Sequence, residues 1–98
     1  MKITKTVNES KLILELDGKL DTKSAPAFRG CIESSLDGIS SITLNFAKLT
    51  YMSSVGLSII LTMKKMLGPA GTLVIINAHG LVREVFEISG FDDLLAKE

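Results

Sequence analysis

Leu12, Leu14 and Leu16 occupy alternate positions, whereas Phe28, Cys31, Ile32 and Leu36 recur at helical spacing. This switch from a period of two to a period near 3.6, made repeatedly along the chain, is the feature that most narrows the possible folds. Residues 2–7 and 11–17 read as two strands joined by the polar turn Asn8-Glu9-Ser10. Beyond Gly18-Lys19-Leu20-Asp21 the helical stripe begins. Thr22 or Ser24 offers it a cap, and Pro26 falls in the first turn, where proline is tolerated. Gly30 within the helix predicts a close neighbour, and Gly38 predicts its C-terminal stop.

The second half repeats the alternation. Ile42, Leu44 and Phe46 mark a strand with Thr43 and Asn45 on its other face. Residues 53–67 are apolar around much of a helical circumference. They predict a largely buried helix with Lys64 and Lys65 as its wet edge, and with Met63 and Met66, like the preceding Met52, in the core. Gly68-Pro69-Ala70-Gly71 stops it. The unbroken run Leu73-Val74-Ile75-Ile76 predicts a strand covered on both faces. Leu81, Val82, Val85 and Phe86 line one side of a last helix that ends at Ser89-Gly90, and Leu94 and Leu95 complete the core. The order β-β-α-β-α-β-α predicts an α/β domain spanning residues 1–98. Its mixed sheet opens with a hairpin, continues through right-handed βαβ crossovers and packs against helices.

Composition narrows the chemistry. The chain has 98 residues, 11 basic and 11 acidic side chains and 46% apolar residues, enough for one core without staples. A net charge of zero, 5% aromatics and no Trp argue against nucleic acid. A single cysteine, Cys31, excludes an internal disulfide and reads as a core residue. The single histidine, His79, has no Cys, Asp or Glu beside it, so it reads as a turn residue after a strand. Neither a metal site nor any cofactor is expected. With no G-x-S-x-G elbow, no base beside clustered carboxylates and no Gly-rich phosphate loop, the chain does not read as an enzyme. No apolar run approaches the ~20 residues of a membrane span, and the N-terminus lacks a signal-peptide core. The expected setting is the cytoplasm, without direct membrane insertion.

The most informative segment runs from Leu44-Asn45-Phe46 through a short loop, Ala47 to Met52, into Ser53-Ser54-Val55-Gly56-Leu57. Ser53 is a natural N-cap, which puts Ser54 in the first helical turn, where backbone N–H groups lack partners and the dipole is positive. Gly56 keeps that turn clear for a close approach. On spacing alone, Ser-Ser reads either as a plain cap or as a serine placed for reversible phosphorylation, an anion being tolerated there.

Together, Gly18-Lys19-Leu20-Asp21, Leu44-Asn45-Phe46, Tyr51-Met52-Ser53-Ser54-Val55-Gly56-Leu57 and Ile88-Ser89-Gly90-Phe91 resemble a STAS domain of the stand-alone bacterial anti-sigma factor antagonist type. The resemblance covers essentially the whole chain. It implies a partner switch. The unphosphorylated protein binds an anti-sigma factor, often a serine kinase, and frees the sigma factor. Phosphorylation breaks that complex, and a serine phosphatase resets it. With Gly56-Leu57 as anchor, the phosphoacceptor is Ser54, with Ser53 as the alternative. The implied partner-binding set is Gly18, Leu20, Asp21, Ser53, Ser54, Gly56 and Leu57, in a monomer or weak dimer. Asp21 also reads as an Asx residue preceding a helix. Ser53 stands where the family commonly has aspartate, and Val55 where it has a small residue. The same resemblance therefore implies a second role, a non-phosphorylated STAS subunit bound to the ATPase of a lipid-transport ABC system.

Overall fold

A computed structural model describes residues 1–96. The chain runs β1 (Lys2–Asn8), β2 (Lys11–Leu20), α1 (Ala25–Ser35), β3 (Ser41–Met52), α2 (Ser54–Leu67), β4 (Thr72–Ile76) and α3 (Gly80–Ser89), then a 3₁₀ turn at Asp92–Leu94. This is the α/β order the periodicity predicts. The sheet order is β1-β2-β3-β4. β1 is antiparallel to β2, and the β2–β3 and β3–β4 pairs are parallel.

The sheet is covered on one face. Leu12, Leu14, Leu16 and Leu20 of β2 and Ile42, Leu44, Phe46, Leu49 and Met52 of β3 are buried, and they share one core with Phe28 and Ile32 of α1, Ile60 and Met63 of α2, and Val82 and Phe86 of α3. The Phe46 and Phe86 rings lie 6.3 Å apart between centroids, tilted by 37°. The opposite face keeps Ile13, Glu15 and Thr43 partly or fully open to water, and a Lys48–Glu15 ion pair of 3.4 Å spans it. Leu94 and Leu95 close the far end. Ala96 N–H donates to the Ile75 carbonyl, which gives the outer edge of β4 a backbone partner.

Several expectations change. β2 does not stop at Asp17, and β3 does not give way to a loop after Phe46; both continue, to Leu20 and Met52. Two register shifts between them accommodate one extra β3 residue each, so buried positions on β3 move from a spacing of two to a spacing of three, at Phe46, Leu49 and Met52. The helix α1 ends at Ser35, ahead of Gly38, whose positive φ of 78° serves the following turn. Neither Thr22 nor Ser24 caps α1 by its side chain; Ser24 has helical dihedrals, and its hydroxyl is engaged behind it. A Cβ on Gly30 meets nothing within 4 Å. β4 is only partly covered, with Ile75 alone fully inside, because helices lie on one face of the sheet. Met66 and Leu81, expected inside, are 56% and 65% exposed, since each lies at the open edge of its helix. Cys31 is half-buried against the core. His79 precedes α3 and donates through Nε2 to the Ala47 carbonyl at 3.0 Å; the carbonyl can only accept, so this nitrogen carries the proton.

Candidate functional site

The Ser-Ser segment sits where the extended ends of β2 and β3 meet the start of α2. Parallel pairing sets Leu20 beside Met52, and Ser53 N–H donates to the Leu20 carbonyl at 2.9 Å. This bond brings Asp21, the next residue after β2, alongside the first turn of α2. The extension rests on Gly18, whose φ of +116° is denied to residues with a Cβ. Thr50 Oγ1 donates to the Gly18 carbonyl at 3.0 Å and ties the bulged β3 to β2.

Ser53 and Ser54 are not equivalent. Ser53 is half-buried with extended dihedrals, and its hydroxyl accepts the Gly56 N–H at 3.5 Å, so it is committed to capping α2. Ser54 is exposed, and its hydroxyl makes no hydrogen bond among the described residues. The first turn of α2 contains no acidic side chain, while Lys64 and Lys65 stand in its last turn. The positive end of the helix dipole is thus unneutralised next to Ser54, and the negative end is matched by cations.

Asp21 closes the turn into α1. Its carboxylate accepts the N–H groups of Lys23 and Ser24, each at 3.1 Å, and its carbonyl accepts Ala25 N–H at 2.8 Å. The Ser24 hydroxyl accepts Asp21 N–H at 2.9 Å; its single proton has the Lys19 carbonyl at 2.7 Å and the Asp21 carboxylate at 3.1 Å within reach. Ser24 N–H, more than any other group, holds the Asp21 pKa below the ordinary 3.8, helped by the Ser24 hydroxyl and by Lys23. Asp21 is therefore the Asx residue the sequence suggests, with its carboxylate turned to the Lys23 and Ser24 N–H groups at the entry to α1.

The seven residues of the implied partner-binding set fall into two layers. Ser54 lies at the surface, with Gly18, Asp21 and Ser53 half-buried around it. Leu20 is fully buried, and Gly56 and Leu57 are buried as well. The buried three support the face from beneath. A Cβ on Gly56 would stand 2.8 Å from Cγ and Cδ2 of Leu20 and 3.0 Å from Met52 Cγ, so the close approach here is by side chains, not by another backbone. Sequence reading missed two open neighbours, Tyr51 at 43% and Val55 at 37% exposure. Their signal was available: each is a large apolar residue within three positions of Ser54. Among the described residues no group of three or more His, Cys, Asp or Glu gathers that could hold a metal, and no helix is long and apolar enough to cross a membrane.

Known proteins share this arrangement. The chain matches the model of the STAS domain over residues 2–97. It is 36% identical over 93 residues to BtrV of Bordetella bronchiseptica, a protein provisionally named an anti-sigma factor antagonist; the match covers 93% of this chain and 80% of BtrV. The anti-sigma factor antagonist SpoIIAA in its unphosphorylated form superimposes with a TM-score of 0.89 at 25% identity, covering 99% of this chain and 88% of that one. The phosphorylated form of the Bacillus cell fate determinant SpoIIAA shares the fold with a TM-score of 0.80 at 24% identity, over 99% and 91% of the two chains. With the whole described chain built on this one plan, from the opening hairpin to the 3₁₀ turn, the protein belongs to the STAS domain family.

Proposed function

We propose that this protein is an anti-sigma factor antagonist that binds an anti-sigma factor through the face formed by Asp21 and the first turn of α2, and that phosphorylation of Ser54 releases the partner. The observation that carries this reading is the division of labour between the two serines. Ser53 is held in the cap, whereas Ser54 is open to a kinase and stands at a helix end with no anion of its own. A phosphate there adds about −1.5 to −2 charges to a neutral chain without breaking a structural hydrogen bond. It acts by repelling or excluding what docks on α2. The names of BtrV and SpoIIAA, and the existence of SpoIIAA in both phosphorylation states, support the assignment. The role is regulatory, with the protein as ligand and substrate of an anti-sigma kinase, and a serine phosphatase resetting it.

Incubation with a candidate anti-sigma kinase and ATP, followed by intact-mass measurement, tests the switch. The parent and Ser53→Ala gain one phosphate, and Ser54→Ala gains none. Ser54→Asp keeps the native circular dichroism spectrum and loses partner affinity. Partner binding by Ser54→Asp as tight as the parent's refutes the switch. The second reading, a STAS subunit on the ATPase of a lipid-transport system, is favoured by Ser53 standing in the family's aspartate position. It predicts no phosphate on either serine and capture of an ATPase by the unmodified protein.

A further inference from the structure

Two further surfaces carry complementary patterns. The first is a groove between α1 and α2. One hollow in it is lined by Thr22, Ala25, Pro26, Val55 and Ile59, and a second by Ile32, Ile59, Thr62, Met63 and Met66, with the Glu33 carboxylate on its wall. Arg29 borders both, and it forms no ion pair among the described residues. Val55 at 37% and Met66 at 56% exposure leave apolar surface open on either side of that guanidinium. A cation placed so is best satisfied by a carboxylate that arrives flanked by apolar side chains.

The second surface is the outer edge of α3. Leu81 and Ile88 are 65% and 85% exposed. Seven residues apart, they share one face of the helix, about 10 Å from each other at ~1.5 Å per residue. Glu84 lies between them on the same edge, exposed and with no ion-pair partner among the described residues, since Arg83 contacts Glu87 instead. Along α2 the centres of the two hollows are separated by roughly six residues, or about 9 Å. Apolar–carboxylate–apolar on α3 therefore matches hollow–guanidinium–hollow in the groove, in order, in sign and in length.

We propose that a second copy of this chain seats its α3 edge in the α1–α2 groove, with Leu81 and Ile88 in the two hollows and Glu84 on Arg29. The contact joins two different faces, so each copy keeps one free groove and one free α3 edge, and association continues head to tail. The first hollow begins at Val55, next to Ser54, so a seated copy covers the approach to the N-terminal turn of α2.

Sedimentation and ¹⁵N chemical-shift titration of the full chain from about 10 μM to about 1 mM, the range expected for a contact of small area, test this. The average mass of the parent rises with concentration, with shifts at Arg29 and Val55 and at Leu81 and Ile88. Arg29→Glu and Ile88→Lys, both at exposed positions and checked for native circular dichroism, each stay monomeric. Their equimolar mixture forms pairs and stops there, because one variant supplies the intact α3 edge and the other the intact groove. A parent that stays monomeric to 1 mM overturns the proposal. So does a mixture that fails to associate, or association that neither substitution reduces, which would place the self-contact or the groove's occupant elsewhere.

Discussion

Gly56→Ala should destabilise this protein, although alanine is the better helix former. Gly56 lies in the first turn of α2, three residues after the Ser53 cap. An added methyl group would stand 2.8 Å from two carbons of Leu20 and 3.0 Å from one of Met52. Leu20 is fully buried and Met52 nearly so, at 4% exposure, so neither side chain can move into water to relieve the overlap. Overpacking of this kind costs about 1–3 kcal/mol. The return from helix propensity is at most ~1 kcal/mol and smaller in a first turn. The net loss is about 1–2 kcal/mol, which for a domain of this size lowers Tm by about 5–15 °C. Gly30→Ala supplies the control. It is also helical, but nothing lies within 4 Å of its Cβ, so the same substitution should raise stability by about 0.5–1 kcal/mol. Urea unfolding of both variants, read as a change in midpoint at constant m, gives the two signs. A Gly56→Ala protein as stable as the parent, or two variants that shift the same way, would refute the packing argument.

Ser53→Ala removes the cap of α2 and should cost about 0.5–1 kcal/mol, at the low end because the bond is long at 3.5 Å. Ser54→Ala should stay within about 0.5 kcal/mol of the parent in the same melt. Phe86→Ala opens a cavity against Phe46 in a fully buried site and should cost about 3–5 kcal/mol by denaturant titration. Asp21 has a depressed folded pKa, so its stabilising contribution is complete above the ordinary value of 3.8 and is lost as pH falls through the lower folded value. Asp21→Asn should lower stability at neutral pH, where the carboxylate contributes fully, and so flatten the acid limb of a stability-against-pH curve; an unaltered acid limb would contradict the hydrogen-bond assignment.

Hydrophobic period decided how much of this could be read in advance. Leu12-Leu14-Leu16 and Ile42-Leu44-Phe46 alternate cleanly, and both strands were legible. Phe46, Leu49 and Met52 stand three apart, a spacing that suits neither a flat strand nor a helix, and the segment read as a loop. Bulges make it a strand, and only the pairing with Asp17, Gly18, Lys19 and Leu20 of β2 produces them. Met66 and Leu81 fit their helical stripes but lie outside the core, because a stripe records which residues are apolar and not how far the neighbouring element reaches.

The sequence by itself determined the order of elements, the single mixed sheet and the cap at Ser53, since each depends on local period, on turn residues or on a side chain reaching its own helix. Tertiary structure decided where Asp21 stands and which glycine is crowded. Those depend on the Leu20–Ser53 bond and on the burial of Leu20 against Gly56, contacts between residues more than thirty positions apart that no local pattern encodes.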